Sequence, residues 1–214
     1  MKEKFRFYGF WLSLVMILIF ILQNYIPGFT DVFKLSSDAF PKIWQFVTAI
    51  FLHGSLQHLA YNLFALLLFG FILERLIGGN RFLTLFFVSG ILANLISWYW
   101  FPNALGASGG IMGVIGTIAI IKPLMAVWAF GLILPMFIVA ILWIVGSVIG
   151  IFGFGAGNIG YLAHLVGILF GIIYGLWIRL ESKKRKQGSI IYSRKIRIPE
   201  SSMRRWENMY IKKT

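Results

Sequence analysis

Four polar side chains stand out in a chain that otherwise offers little chemistry. Ser108 sits in "NALGASGGIMGVIG", residues 103 to 116, with glycines at 106, 109, 110 and 113 around it. His58 and Asn62 lie four residues apart in "HGSLQHLAYNLF", and His164 lies in "AHLVGILFG". Hydroxyls and imidazoles are the groups from which nucleophiles and proton acceptors are drawn. There are no cysteines, which removes disulfides, thiolate metal sites and a cysteine nucleophile from consideration.

The elements that must carry these residues are apolar. Of 214 residues 59% are hydrophobic and 13% charged, and the mean hydropathy is +0.83, a balance that fits a polytopic membrane protein and no water-soluble domain. Apolar runs at 9–26, 46–73, 82–101, 106–121, 124–151 and 159–178 predict six helices and an all-α bundle. The first run is too long for a secretory signal and lacks a small-x-small cleavage site, so it reads as a retained span.

Charge orients the bundle. Lys2, Lys4 and Arg6 precede the first span, Arg75 and Arg81 separate the second from the third, Lys122 separates the fourth from the fifth, and Arg179 opens a basic tail. By the positive-inside rule these face the cytoplasm, which puts both termini inside and runs spans two, four and six from outside to inside. The net charge of +13 lies mostly in the tail, where it reads as topology and anionic lipid, not nucleic acid. Residues 1–181 are expected to form the membrane domain and 182–214 a basic cytoplasmic tail with the character of a solvated charge run.

Counting back from the charge that ends each of these spans gives depth. His58 is 16 residues before Glu74, Ser108 14 before Lys122 and His164 15 before Arg179. At about 1.5 Å per residue these are roughly 24, 21 and 22 Å. All three lie at one level, under ~10 Å below the outer face of a ~30 Å core. Asn62 shares the His58 face of its helix. Taken singly, Ser108 reads as a small packing residue, His58 with Asn62 as an interhelical hydrogen-bond pair, and His164 as a buried polar group. Their common depth on three helices is what those separate readings leave unexplained. His53, near the outer end of its span, reads as interfacial.

At these residues the chain resembles the rhomboid intramembrane serine proteases. The likeness covers roughly 44–178: the His53, His58 and Asn62 spacing in span two, "GASGG" as a Gly-x-Ser-Gly motif, and "AHLVGILFG" as an Ala-His-x-x-Gly motif. The resemblance implies that Ser108 is the nucleophile and His164 its general base, that His58 and Asn62 help hold the oxyanion, and that Gly70 and Glu74 are structural. Two positions depart from the family pattern. Its frequent Trp-Arg pair reads Trp44-Gln45, and the aromatic sometimes found four residues after the serine is Met112.

Apart from Glu74 at the cytoplasmic end of span two, no carboxylate lies in the apolar runs, so the expected machinery is a Ser-His dyad with no cofactor and no metal. Ser108 in the first turn of a short helix would add its own backbone N–H and that of Gly109 to the oxyanion donors. Hydrolysis needs water, so the loops "FPNALGA" and "FGFGAGNIG" are expected to rim a cavity open to the non-cytoplasmic side. Glycines 109, 113 and 116 and glycines 167, 171 and 175 should let spans four and six approach closely. Expected substrates are single-span membrane proteins, and the expected location is the cell membrane. Two alternatives stand beside this reading: a non-proteolytic rhomboid-like protein that binds membrane helices, and a transporter using His53, His58 and His164 as ligands. The five-residue gap between His53 and His58 is poor for one helical face.

Overall fold

A computed structural model describes residues 6–37, 40, 42–100, 104–154, 160–195 and 200–211, and they are mostly helical. In chain order they form α1 (Tyr8–Tyr25), α2 (Phe29–Phe33), α3 (Gln45–Thr48) and a 3-10 turn at Ala49–Phe51. A continuous helix then runs through α4 (Leu56–Ala65), a π turn (Leu66–Gly70) and α5 (Phe71–Ile77). It is followed by α6 (Gly79–Trp100), α7 (Ser108–Ile121), strands β1 (Ala126–Ala129) and β2 (Leu132–Pro135), and α8 (Met136–Ile149) with a π turn at Gly150–Phe154. The last elements are α9 (Tyr161–Lys195) and α10 (Glu200–Tyr210). Two compact units result, Met1–Leu176 and Trp177–Thr214.

Among the described residues, four helices are long and apolar enough to cross a membrane: Tyr8–Tyr25, Leu56–Ile77, Gly79–Trp100 and Tyr161–Arg185. Ser108–Ile121 and Met136–Phe152 are apolar but shorter.

Two apolar runs resolve differently from the sequence expectation. The run at 46–73 begins with α3 and the 3-10 turn, and its long helix starts only at Leu56. Ser55 sets that start: its backbone is extended and its Oγ accepts the His58 N–H at 3.1 Å, an N-cap. The run at 124–151 opens as an antiparallel hairpin with Ala126 opposite Pro135 and Ala129 opposite Leu132, which corrects the expectation of one helix throughout this run in an otherwise mostly helical fold. Phe130 (φ 53°) and Gly131 (φ 78°) both occupy the left-handed region, as a two-residue type I′ turn requires. An unbroken apolar run hides this turn, because short strands and helices share that composition.

The core is built around α7. Every residue from Gly109 to Ala119 is buried. On one side a Cβ added to Gly110 would lie 2.8 Å from the Phe86 carbonyl oxygen of α6, so only glycine admits that approach. Phe82, Leu85 and Phe86 of α6 pack with Ile111, Ile115 and Ile118 of α7 in the same apolar cluster.

Two polar anchors fix the periphery. Gln45 fills the position where arginine is frequent and ties down the first loop. Its Oε1 accepts from the Ser36 N–H (3.1 Å) and hydroxyl (2.6 Å), and its Nε2 donates to the Val32 carbonyl at 3.1 Å. The Gln45 side chain is buried, so these bonds satisfy a carboxamide that water cannot reach.

Glu74 is also buried, and its carboxylate accepts from the backbone N–H groups of Arg6 (2.8 Å) and Tyr8 (2.9 Å). It thereby places negative charge at the positive end of α1, where no side chain of α1 itself provides a cap. Glu74→Ala would strip two N–H groups of a charged acceptor, at about 2–4 kcal/mol. A clearly lowered thermal midpoint in detergent is the expected result; an unchanged midpoint would show that the carboxylate does not hold the start of α1.

Candidate active site

Ser108 is the first residue of α7 and is half-buried. The first helical hydrogen bond runs from the Ile111 N–H to the Ala107 carbonyl at 3.0 Å, so the N–H groups of Ser108, Gly109 and Gly110 precede the ladder and point out of the helix end. The approach to this end is tightly held. Gly106 takes φ +128°, a conformation that glycine tolerates best, and its N–H donates to the Ala49 carbonyl at 2.8 Å.

The His58 ring lies directly against that glycine. A Cβ on Gly106 would sit 2.8 Å from His58 Cε1 and 3.0 Å from Nε2. One turn further along α4, Asn62 is buried and donates one Nδ2 hydrogen to the His58 carbonyl at 2.9 Å, which leaves the second hydrogen of that amide.

α9 closes on α7 from the other side, backbone to backbone. A Cβ on Gly109 would lie 3.7 Å from the Ala163 carbonyl oxygen. Added Cβ atoms at Gly167 and Gly171 would collide with the carbonyl oxygens of Gly109 and Gly113. The Thr117 hydroxyl is shared at 2.9 Å between the carbonyls of Gly113, in its own helix, and Gly171. The glycine spacing read from the sequence therefore meshes as three successive levels, the last at Gly175, where an added Cβ would lie 3.1 Å from the Thr117 carbonyl oxygen.

His164 follows Ala163 and so enters at the Gly109 level. It is buried, and its Nδ1 has no hydrogen-bond partner among the described residues. Two aromatic rings orient the imidazole edge-on: Trp143 of α8 at 5.7 Å and 87°, and Tyr161 at 6.4 Å and 83°. These rings stand where Met112 offers none. Tyr161, three residues before His164 on one helix, was within reach of sequence reasoning. Trp143 comes from another element, and nothing in its neighbourhood marked it.

His53 is buried, and its ring meets that of His58 at 5.1 Å with an interplanar angle of 67°. Gln23 of α1 holds it from both sides, accepting from the His53 N–H at 3.0 Å and donating to its carbonyl at 3.2 Å. The helical-face objection to pairing His53 with His58 does not apply, because His53 precedes the helix. No three His, Cys, Asp or Glu side chains among the described residues gather as a metal centre. Of the two loops expected to rim the site, residues 101–103 and 155–159 lie outside the described residues.

The fold carries four helices long and apolar enough to cross a membrane, and at Gly106 and Gly109, on either side of Ser108, the start of a glycine-rich helix meets histidine-bearing segments of two other helices. Residues 41–181 match the family model described as Rhomboid domain, and the chain belongs to the rhomboid family. It is 28% identical over 187 residues to "Rhomboid-like protein 11, chloroplastic" of Arabidopsis thaliana, covering 79% of this chain and 64% of that protein. It is 28% identical over 155 residues to "Rhomboid protein 1, mitochondrial" of Saccharomyces cerevisiae, covering 66% and 43% respectively. To "Rhomboid protease GluP" of Bacillus subtilis it is 33% identical over 130 residues, covering 60% of this chain and 24% of that protein. The chain thus spans less than two thirds of the length of each of these relatives.

Proposed function

We propose that this protein is an intramembrane serine endopeptidase acting through a Ser108–His164 dyad. The observation that carries the reading is the convergence at residues 106–109, where the His58 ring rests on Gly106 and the Ala163–Gly167 stretch of α9 rests on Gly109. Membership of the rhomboid family and likeness to a protein named a rhomboid protease support it.

In this mechanism His164 takes the Ser108 hydroxyl proton as Oγ attacks the scissile carbonyl. The resulting oxyanion is stabilised by the Ser108 and Gly109 N–H groups, the His58 imidazole and the free Asn62 amide hydrogen. His164 then returns the proton to the leaving amine, and water, activated by the same imidazole, hydrolyses the acyl-enzyme. The edge-on rings of Trp143 and Tyr161 hold the base where other serine enzymes use a carboxylate.

The substrates of this reading are transmembrane proteins, single-span ones in the first instance, which must leave their helix near the outer end to expose a carbonyl. Six spans are completed by the shorter α7 and α8, with both termini cytoplasmic, the site opening to the non-cytoplasmic side of the cell membrane, and residues 1–181 acting as one membrane domain ahead of the 182–214 tail. A serine-directed fluorophosphonate probe tests the proposal: the detergent-solubilised protein should be labelled at Ser108. Labelling elsewhere, or none at all with intact protein, sinks it.

His58→Ala and Asn62→Ala should each lower kcat for a membrane-spanning reporter by about 100-fold, the usual effect of losing an oxyanion donor, with KM little changed. If both variants turn over within about twofold of the parent, the two residues belong to packing.

A further inference from the structure

The catalytic reading leaves α10 unused, and α10 has a marked two-sided composition. Along its eleven residues, Met203, Trp206 and Tyr210 fall within about 60° of one another on a helical projection, with Met209 beside them. Ser201, Arg204, Arg205 and Asn208 occupy the opposite arc. None of the eleven residues is buried, and the four apolar side chains are each more than half exposed. The rings of Trp206 and Tyr210 meet at 5.5 Å with an interplanar angle of 39° and lie on one side of the helix.

The chemistry of the surroundings selects an occupant for this face. From 182 to 214 the chain carries eleven lysines and arginines against two glutamates. Such a field attracts anionic lipid headgroups. A bilayer is also at hand: the candidate span Tyr161–Arg185 ends fifteen residues before Glu200, so its far end is tethered within at most about 50 Å of α10. Tryptophan and tyrosine favour the headgroup boundary, where an apolar ring and a polar edge are both satisfied, and methionine fills acyl-chain gaps.

We infer that α10 is an in-plane membrane helix that lies on an anionic bilayer surface, seating Met203, Trp206, Met209 and Tyr210 at the headgroup–acyl boundary and leaving Arg204 and Arg205 on the water side, within the field of the headgroups. A short helix of this kind binds weakly when free. Tethering raises its local concentration to the millimolar range and makes the weak contact sufficient. The inference is independent of the proteolytic reading, because it uses no residue of the site.

Because the chain has no cysteine, one can be placed at will. Met203→Cys on the apolar face and Asn208→Cys on the polar face are made singly in the full-length protein, labelled with a polarity-sensitive fluorophore and reconstituted. In vesicles of phosphatidylglycerol and phosphatidylcholine, the Met203→Cys label should shift to the blue and be quenched by nitroxide lipids, whereas the Asn208→Cys label should do neither. The quenched fraction should fall at least about threefold in phosphatidylcholine alone, and likewise on adding Arg204→Glu and Arg205→Glu. Equal quenching at both positions, or none at Met203→Cys in anionic vesicles, overturns the proposal. So does rapid disulfide formation between two unlabelled Met203→Cys chains under an added thiol oxidant together with no quenching of the labelled sample, which would make a second copy the occupant. Circular dichroism and size-exclusion profiles matching the parent show that the labelled proteins are folded.

Discussion

Ser108→Ala should bring cleavage of a membrane-spanning reporter to background and abolish fluorophosphonate labelling, and His164→Ala should do the same. The loss expected for each is about 10⁴-fold or more in kcat, roughly 5.5 kcal/mol of transition-state stabilisation. In the proposed dyad, removing either member leaves the other without a function: an alkyl side chain cannot attack, and a serine without a base holds its proton at neutral pH. The double variant should therefore be no slower than the worse single one, because the two act as a unit. The helix-start donors and His58 remain in both variants, so substrate should still bind, with KM within a few-fold of the parent. Reporter cleavage that survives Ser108→Ala would assign the nucleophile to another residue and end the dyad reading. Thermal midpoints near the parent value guard against misfolding, since Ser108 is half-buried and makes no helix-capping hydrogen bond.

Gly167→Ala is the second large effect, and it requires no change to any reacting atom. The new methyl group would collide with the Gly109 carbonyl oxygen, which is main chain and cannot rotate away. α7 and α9 must then move apart next to Ser108 and His164. A displacement of about 1 Å between reacting groups costs on the order of 100-fold in rate, and overpacking costs about 1–3 kcal/mol in stability. Gly175→Ala meets the Ile120 side chain and the Thr117 carbonyl at 2.9 and 3.1 Å, two turns further along α9, so it should lower stability while sparing most of the turnover of folded enzyme. Gly146→Ala in α8, with nothing within 4 Å, should be neutral in both respects. Parent-like kcat in Gly167→Ala would show that the close helix contact does not position the site.

The candidate residues stood out in the sequence because an apolar chain offers so few polar side chains. Ionisable groups are costly in a membrane, so three histidines and one well-placed serine stand out, and a rise of 1.5 Å per residue converts sequence offset into depth. The glycine seam was readable for a related reason: small residues at four-residue spacing leave a groove along one helical face. The hairpin at 126–135 was not, since its turn depends on two positive φ angles and one of them belongs to Phe130, a residue that carries no turn signal. The π turn at Leu66–Gly70 was equally silent, since a run of Leu66, Leu67, Leu68 and Phe69 suits an ordinary α-helix as well. Nor could Trp143 be paired with His164, because edge-on ring contacts between separate helices leave no trace in spacing. Gln45 shows the opposite limit. A departure from a family pattern marked the position, yet only the fold shows its carboxamide joining Val32 and Ser36.

The Glu74 clamp has a consequence in time. The N–H groups it receives belong to Arg6 and Tyr8, which precede it by 68 and 66 residues. At about 5–20 residues per second of synthesis, α1 waits roughly 3 to 13 s for its cap. Through that interval its first turn must rely on water or lipid headgroups, and docking of α1 through this clamp waits until about a third of the chain has been made.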